Sequence, residues 1–127
     1  MQKHIAARVL LCIALVLISW LSLTPSPPEQ ITLNWDKLNH FVAFFTLAFL
    51  SDFSFPQAHS QRTQLNRYRN QCLALILYGA SIEISQWWFG FRVFELLDIV
   101  ADCVGIFAYL LVVWLISSMS QRNQNRG

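Results

Sequence analysis

Between Ser81 and Asp102 the chain reads SIEISQWWFGFRVFELLDIVAD, an oily stretch that carries Glu83, Gln86, Arg92, Glu95, Asp98 and Asp102. Upstream, DKLNH supplies Asp36, Lys37 and His40. Carboxylates beside an imidazole can move protons, and a guanidinium can grip a phosphate through two parallel hydrogen bonds. A histidine with carboxylates can also hold a divalent cation. His40 with Glu83, Asp98 or Asp102 is a permissive set for that purpose, so neither a metal nor another cofactor is assigned from it. No H-E-x-x-H, glycine-rich phosphate loop or G-x-S-x-G is present, and no residue is assigned as catalytic.

Helical spacing gathers these groups onto faces. Gly79, Glu83 and Gln86 follow i, i+4, i+7, while Glu95, Asp98, Asp102 and Gly105 follow i, i+3, i+7, i+10. Asp36 and His40 are i, i+4, continued by Ala43. At about 1.5 Å per residue, Asp98 and Asp102 lie roughly 6 and 12 Å along from Phe94, Glu83 roughly 10 Å from Gly90, and His40 roughly 6 Å from Asp36. Three helices therefore carry polar side chains at similar depth. A charge facing lipid at mid-helix costs about 2.5–3.5 kcal/mol. The stripes are expected to face one another, helped by the small residues Gly79, Ala43 and Gly105. Arg92, Lys37 and His40 are the available counter-charges; Arg92 either pairs with Glu83, Asp98 and Asp102 or binds an anionic headgroup. Gln86 reads as a link between helices, Glu95 as a first-turn acid suited to the helix dipole, and Asp52 as an interfacial residue.

The elements that position these groups follow from composition. The chain has 127 residues, of which 55% are hydrophobic and 13% charged, with mean hydropathy +0.43. A soluble domain is roughly a quarter charged. Four apolar runs, 5–23, 36–55, 72–89 and 94–119, approach the about 20 residues a bilayer crossing needs. The expectation is all-α: one domain over 1–127, an integral membrane bundle of four transmembrane helices. TPSPP, Pro56 and Gly90 stop the first three, Asn34 or Asp36 caps the second, and the tail SQRNQNRG frays. A signal peptide is the rival for the first run. No A-x-A-like site follows it, which favours an uncleaved helix. Trp20, Trp35, Trp87 and Trp88 lie near segment ends, as interfacial rings do. Cys12, Cys72 and Cys103 each sit in an apolar run and read as small buried residues with no disulfide. A net charge of +2 without a basic block argues against nucleic acid.

Charge asymmetry sets orientation. Lys3 and Arg8, then Arg62, Arg67 and Arg69, then Arg122 and Arg126 share one side if there are four crossings. Cytoplasmic loops collect such residues. Both termini and the middle loop are thus expected in the cytoplasm. The loop 24–35 lacks Lys and Arg and holds Glu29, so the polar cluster faces outward.

Three pieces, taken together, resemble the VanZ-like family of small bacterial membrane proteins. DKLNHFVAFF resembles its D-K-x-x-H followed by aromatics, IEISQWWFGFR a Glu-x-x-Gln helix end leading to an Arg, and DIVADCVG its D-x-x-x-N-x-x-G. Asp102 stands where the family usually has Asn. The resemblance implies a multi-pass protein of the bacterial inner membrane, in a family named for a member linked to teicoplanin resistance. No settled biochemical activity comes with the family.

The functional expectation is an outward polar pocket of Asp36, Lys37, His40, Glu83, Gln86, Arg92, Asp98 and Asp102, in a chain whose constant partner is the lipid bilayer. The pocket would bind a lipid headgroup or a cell-wall precursor. The alternatives are an enzyme on a lipid-linked anionic substrate, with His40 or Glu83 as general base, and a structural subunit or small proton-coupled channel, which a homo-oligomer would enclose.

Overall fold

The computed structural model describes residues 2–24, 33–57 and 60–124. These form four helices and no strand: α1 Gln2–Ser22, α2 Leu33–Ser54, α3 Gln61–Trp88 and α4 Leu96–Gln124. The expectations for Glu29, Arg126 and the prolines of TPSPP fall outside the described residues. Those for Lys3 and Trp35 fall on side chains outside the description.

Apolar runs locate the helices but not their ends. α3 begins eleven residues before the expected Cys72, at Gln61. Ser60 caps it, its hydroxyl accepting from the Thr63 amide at 3.2 Å. The intervening QRTQLNRYRNQ holds good helix formers but few apolar side chains, so a search for oily segments passes over it. α4 likewise runs through Arg122 to Gln124, because no Pro or Gly interrupts Ser120–Gln124; the frayed tail is corrected there. At its other end α4 starts at Leu96, leaving Phe94 and Glu95 ahead of the helix. α2 starts at Leu33, so Asn34 and Asp36 lie inside its first turn and not at the cap. Gly90 ends α3. Its φ of +70° is the left-handed conformation that terminates a helix, and the Phe91 amide then reaches back to the Gln86 carbonyl at 2.9 Å.

The helices run alternately up and down. At one end His4 and the Arg8 Nε contact the Phe53 and Ser54 carbonyls, both at 2.9 Å, so the start of α1 meets the end of α2. At the other end Gln86 Nε2 donates to the Ser22 carbonyl at 2.8 Å, joining the ends of α3 and α1. α2 packs against every other helix and most extensively on α4; the α1 and α4 backbones do not come within 8 Å of each other among the described residues. The central core is Phe44, Leu47 and Ala48 of α2, Leu75 of α3, and Ile106 and Tyr109 of α4.

The surface is oilier than the interior. Leu77 is 69% exposed and Trp88 75%, with Trp20, Trp87 and Trp114 also exposed. Inside, buried polar and charged groups are about as numerous as buried apolar ones. This inverts the usual distribution of a water-soluble domain. Two helices are long and apolar enough to cross a membrane, over His4–Ser22 and Leu96–Arg122. α2 falls short because it carries Asp36, Lys37, His40 and Asp52, and α3 because a polar first third is followed by an apolar part that itself holds Glu83 and Gln86. The three thiols are free, but Cys12 is exposed and Cys72 and Cys103 are half-buried, which corrects the expectation that all three are buried. α1 lies at the edge of the bundle, so much of its surface has no protein to cover it.

Candidate functional site

The first turns of α2, the last turns of α3, the 89–95 connection and the start of α4 converge at one end of the bundle. α2 presents Asp36, Lys37 and His40; α3 presents Glu83 and Gln86; the connection presents Arg92 and Glu95; α4 presents Asp98 and Asp102. Lys37 Nζ donates to Glu95 Oε2 at 2.9 Å and to Asp98 Oδ1 at 3.3 Å. Arg92 Nη2 donates to Asp36 Oδ2 at 2.8 Å. His40 Nδ1 lies 2.8 Å from Asp102 Oδ1, and its Nε2 lies 3.8 Å from Asp98 Oδ2.

Two pairings differ from expectation. Arg92 reaches Asp36 across the interface, not Glu83, Asp98 or Asp102. The Gly90 turn carries Arg92 over the start of α2, while Glu83 is satisfied from another direction. Its Oε1 accepts the Glu95 amide at 2.7 Å, tying the approach to α4 onto α3. Glu95 is consequently not a first-turn residue; it stands just before the helix, with its own carboxylate turned to Lys37. Gln86 links α3 to α1 through Ser22, and its Oε1 is buried without a hydrogen-bond partner among the described residues.

Small residues set the approach. A Cβ on Gly79 would stand 2.5 Å from Asp102 Oδ2 and 2.9 Å from Phe44 Cζ, so glycine there makes room for the carboxylate. Glu83, Asp98 and Asp102 are each 2% exposed, whereas the side chains of Lys37, Arg92 and Glu95 are 28%, 26% and 41% exposed. The cluster thus has a partly open rim of two cations and one acid over a buried floor of carboxylates and one imidazole. Among the described residues, Asp36, Glu83, Glu95, Asp98 and Asp102 stand with Lys37 and Arg92 as permanent cations, so carboxylates outnumber these cations by three while His40 is neutral. Such a set can hold a cation, pass a proton, or present the rim cations to an anion.

No family model, curated protein or solved structure matches this chain. Functional assignment therefore rests on the geometry of its own residues.

The opposite end holds a second buried polar cluster that the sequence did not reveal. Asp52 is buried, not interfacial: its Oδ2 accepts from the Tyr109 hydroxyl at 2.6 Å and its Oδ1 pairs with Arg67 Nη2. Arg67 Nη1 also donates to the Asp52 carbonyl at 3.1 Å, and its guanidinium stands 4.9 Å from the Tyr68 ring centroid. Gln71 Nε2 reaches the Ala48 carbonyl at 2.7 Å. Arg67 and Gln71 lie in the polar part of α3 that an apolar scan assigns to a loop, so their partnership with α2 had no sequence signal. The one available hint was an aspartate, Asp52, inside an apolar run. Hydrogen bonds to a charged group contribute roughly 1.5–3 kcal/mol. Tyr109→Phe should therefore lower the thermal unfolding midpoint of the purified chain in detergent, while leaving the cluster at the other end intact; an unchanged midpoint would show that the hydroxyl contributes nothing.

Proposed function

We propose that this chain is a four-span protein of a bacterial cytoplasmic membrane whose polar cluster opens outward and binds an anionic envelope component through Lys37 and Arg92. The observation that carries the reading is the convergence of Asp36, Lys37, His40, Glu83, Gln86, Arg92, Asp98 and Asp102 at one end of an otherwise oil-faced bundle. Ionisable groups kept inside an apolar helical bundle are costly and are retained for ligands, ions or protons. The opposite end carries Arg8, Arg62, Arg67, Arg69 and Arg122, the distribution of a cytoplasmic face. α2 and α3 cross with α1 and α4 in this reading because their acids face inward onto counter-charges. The three pieces that resemble the VanZ-like family all contribute to the cluster, which favours an envelope role connected with glycopeptide susceptibility.

The rim chemistry selects a phosphate-like group: an arginine for two-point contact and a lysine as a second charge. A lipid headgroup and a lipid-linked cell-wall precursor both offer it. Native mass spectrometry of the detergent-purified chain separates the two by mass. One anionic lipid or precursor per chain is expected, with retention at least tenfold lower in Arg92→Ala. In cells, the deletion strain should lose envelope integrity or change its glycopeptide susceptibility, and Arg92→Ala should fail to restore either. No retained anion and no deletion phenotype together reject the proposal. Labelling of cysteines introduced in 24–32 and at Arg62 tests the topology; external labelling at Arg62 rejects it.

The hydrogen bond between His40 and Asp102 favours one second reading, an enzyme acting on the bound anionic substrate. An imidazole oriented by a carboxylate is suited to take a proton. A deletion strain with an unchanged profile of lipid-linked precursors argues against catalysis and leaves binding.

A further inference from the structure

We propose that Asp36, His40 and Asp98 form a binding site for one divalent transition cation of the Zn²⁺ or Mn²⁺ type. Each residue offers one ligand atom, and these atoms lie within 4.8 Å of one another. Asp36 and His40 are one helical turn apart on α2, and Asp98 comes from the facing α4. Bonds of about 2.0–2.2 Å would draw the three atoms together by roughly an ångström, within the reach of side-chain rotation. Imidazole nitrogen with carboxylate oxygen suits Zn²⁺ or Mn²⁺; Mg²⁺ and Ca²⁺ prefer oxygen alone.

The histidine is already arranged as a ligand. Asp102 Oδ1 stands 2.8 Å from His40 Nδ1; in the neutral tautomer in which Nδ1–H donates this hydrogen bond to the carboxylate, the lone pair is on Nε2. A carboxylate holding the far nitrogen of a histidine is the usual support of a metal-bound imidazole. Nε2 then faces Asp98 Oδ2 at 3.8 Å, too long for a hydrogen bond. Two lone-pair atoms at that spacing repel, and a cation between them makes the contact favourable. Charge points the same way, since carboxylates outnumber Lys37 and Arg92 by three, with Asp98, Asp102 and Glu83 buried. Two positive charges remove most of that surplus.

The site also bears on the rim. Arg92 now pairs with Asp36, and Lys37 with Asp98 as well as Glu95. A cation that takes Asp36 and Asp98 frees Arg92 and removes one of the two partners of Lys37, leaving donors for an anionic group; this link, unlike the site itself, rests on the headgroup reading.

The test uses the full, tag-free chain, stripped of metal, in detergent. Calorimetric titration with Zn²⁺ should show one saturable site per chain. His40→Ala and Asp98→Asn should lose it, and Asp102→Asn should weaken it about 10–100-fold. Arg62→Ala, exposed at the opposite end of the bundle, should bind as the parent chain does. No saturable site in the parent, or binding intact in both His40→Ala and Asp98→Asn, overturns the proposal. A check that needs no variant is pulsed EPR with Mn²⁺ bound, which should show coupling to one imidazole nitrogen; its absence also overturns the ligand set. Lipid retention measured with and without chelator keeps the two ideas apart. Metal uptake with no effect on retained anionic lipid supports the site and sinks its link to the headgroup. Retained lipid with no metal uptake sinks the site and leaves the headgroup reading.

Discussion

Arg67→Ala is expected to destabilise the chain by about 3–5 kcal/mol, the loss typical when one partner of a buried ion pair is removed. The cost arises less from the lost attraction than from what remains. Asp52 would keep its place between α2 and α4 with Tyr109 as its remaining side-chain partner among the described residues, and a single hydroxyl donor does not offset a buried carboxylate. Three further bonds disappear with the guanidinium: those to the Asp52 and Phe55 carbonyls at 3.1 and 3.4 Å, which close the C-terminal end of α2, and one to Gln57 Oε1 at 3.5 Å. The measurement is the unfolding midpoint of the detergent-purified chain, with Arg62→Ala as the exposed control. Asp52→Asn combined with Arg67→Ala should recover part of the loss, because the orphaned charge is gone. A midpoint in Arg67→Ala equal to that of Arg62→Ala would mean the pair is solvated and not a structural bond.

That cluster also marks how far the sequence can be read. Helical periodicity is a property of one segment, so it aligned Glu83 with Gln86, Asp98 with Asp102 and Asp36 with His40, and the structure brings those faces to one end of the bundle. Which acid meets which base depends on the register between helices, and no single segment contains it. Arg92 illustrates the point: its partner is fixed by the left-handed turn at Gly90, which directs it to Asp36. Asp52 illustrates a second limit. Its arginine lies on a stretch of α3 with too few apolar residues to register as a helix, so the sequence offers the aspartate no partner and its place near a segment end reads as interfacial. Helix ends were misread for the same reason. Capping at Ser60 and the uninterrupted run through Arg122 are local hydrogen-bonding matters that hydropathy does not report. Glu95 stands just ahead of α4, its amide held by the Glu83 carboxylate of α3, a contact between segments that hydropathy does not report either.

Gly105→Ala should produce the second large effect, and here two physical terms predict opposite signs. In an exposed helix interior, replacing glycine by alanine stabilises by about 1 kcal/mol. At Gly105 a Cβ would collide with the Phe41 carbonyl oxygen and come within 3.0 Å of the Phe45 nitrogen and 3.2 Å of the Phe41 carbonyl carbon. All three are backbone atoms of α2 and cannot rotate aside. α2 and α4 must separate along their most extensive interface, and overpacking of this kind costs roughly 1–3 kcal/mol. A lowered midpoint is therefore expected, steeper still for Gly105→Val. Separation also pulls Lys37 and His40 away from Asp98 and Asp102, so metal and anion binding should fall although the substituted residue touches none of the polar groups itself. Gly79→Ala makes a useful contrast. Its Cβ meets side-chain atoms, Asp102 Oδ2 and the Phe44 ring, which can move, so binding should suffer more than stability. A raised midpoint in Gly105→Ala, the sign that helix propensity alone gives, would mean that the two helices have room for a Cβ between them, and the ion pairs between them would lose their geometric basis.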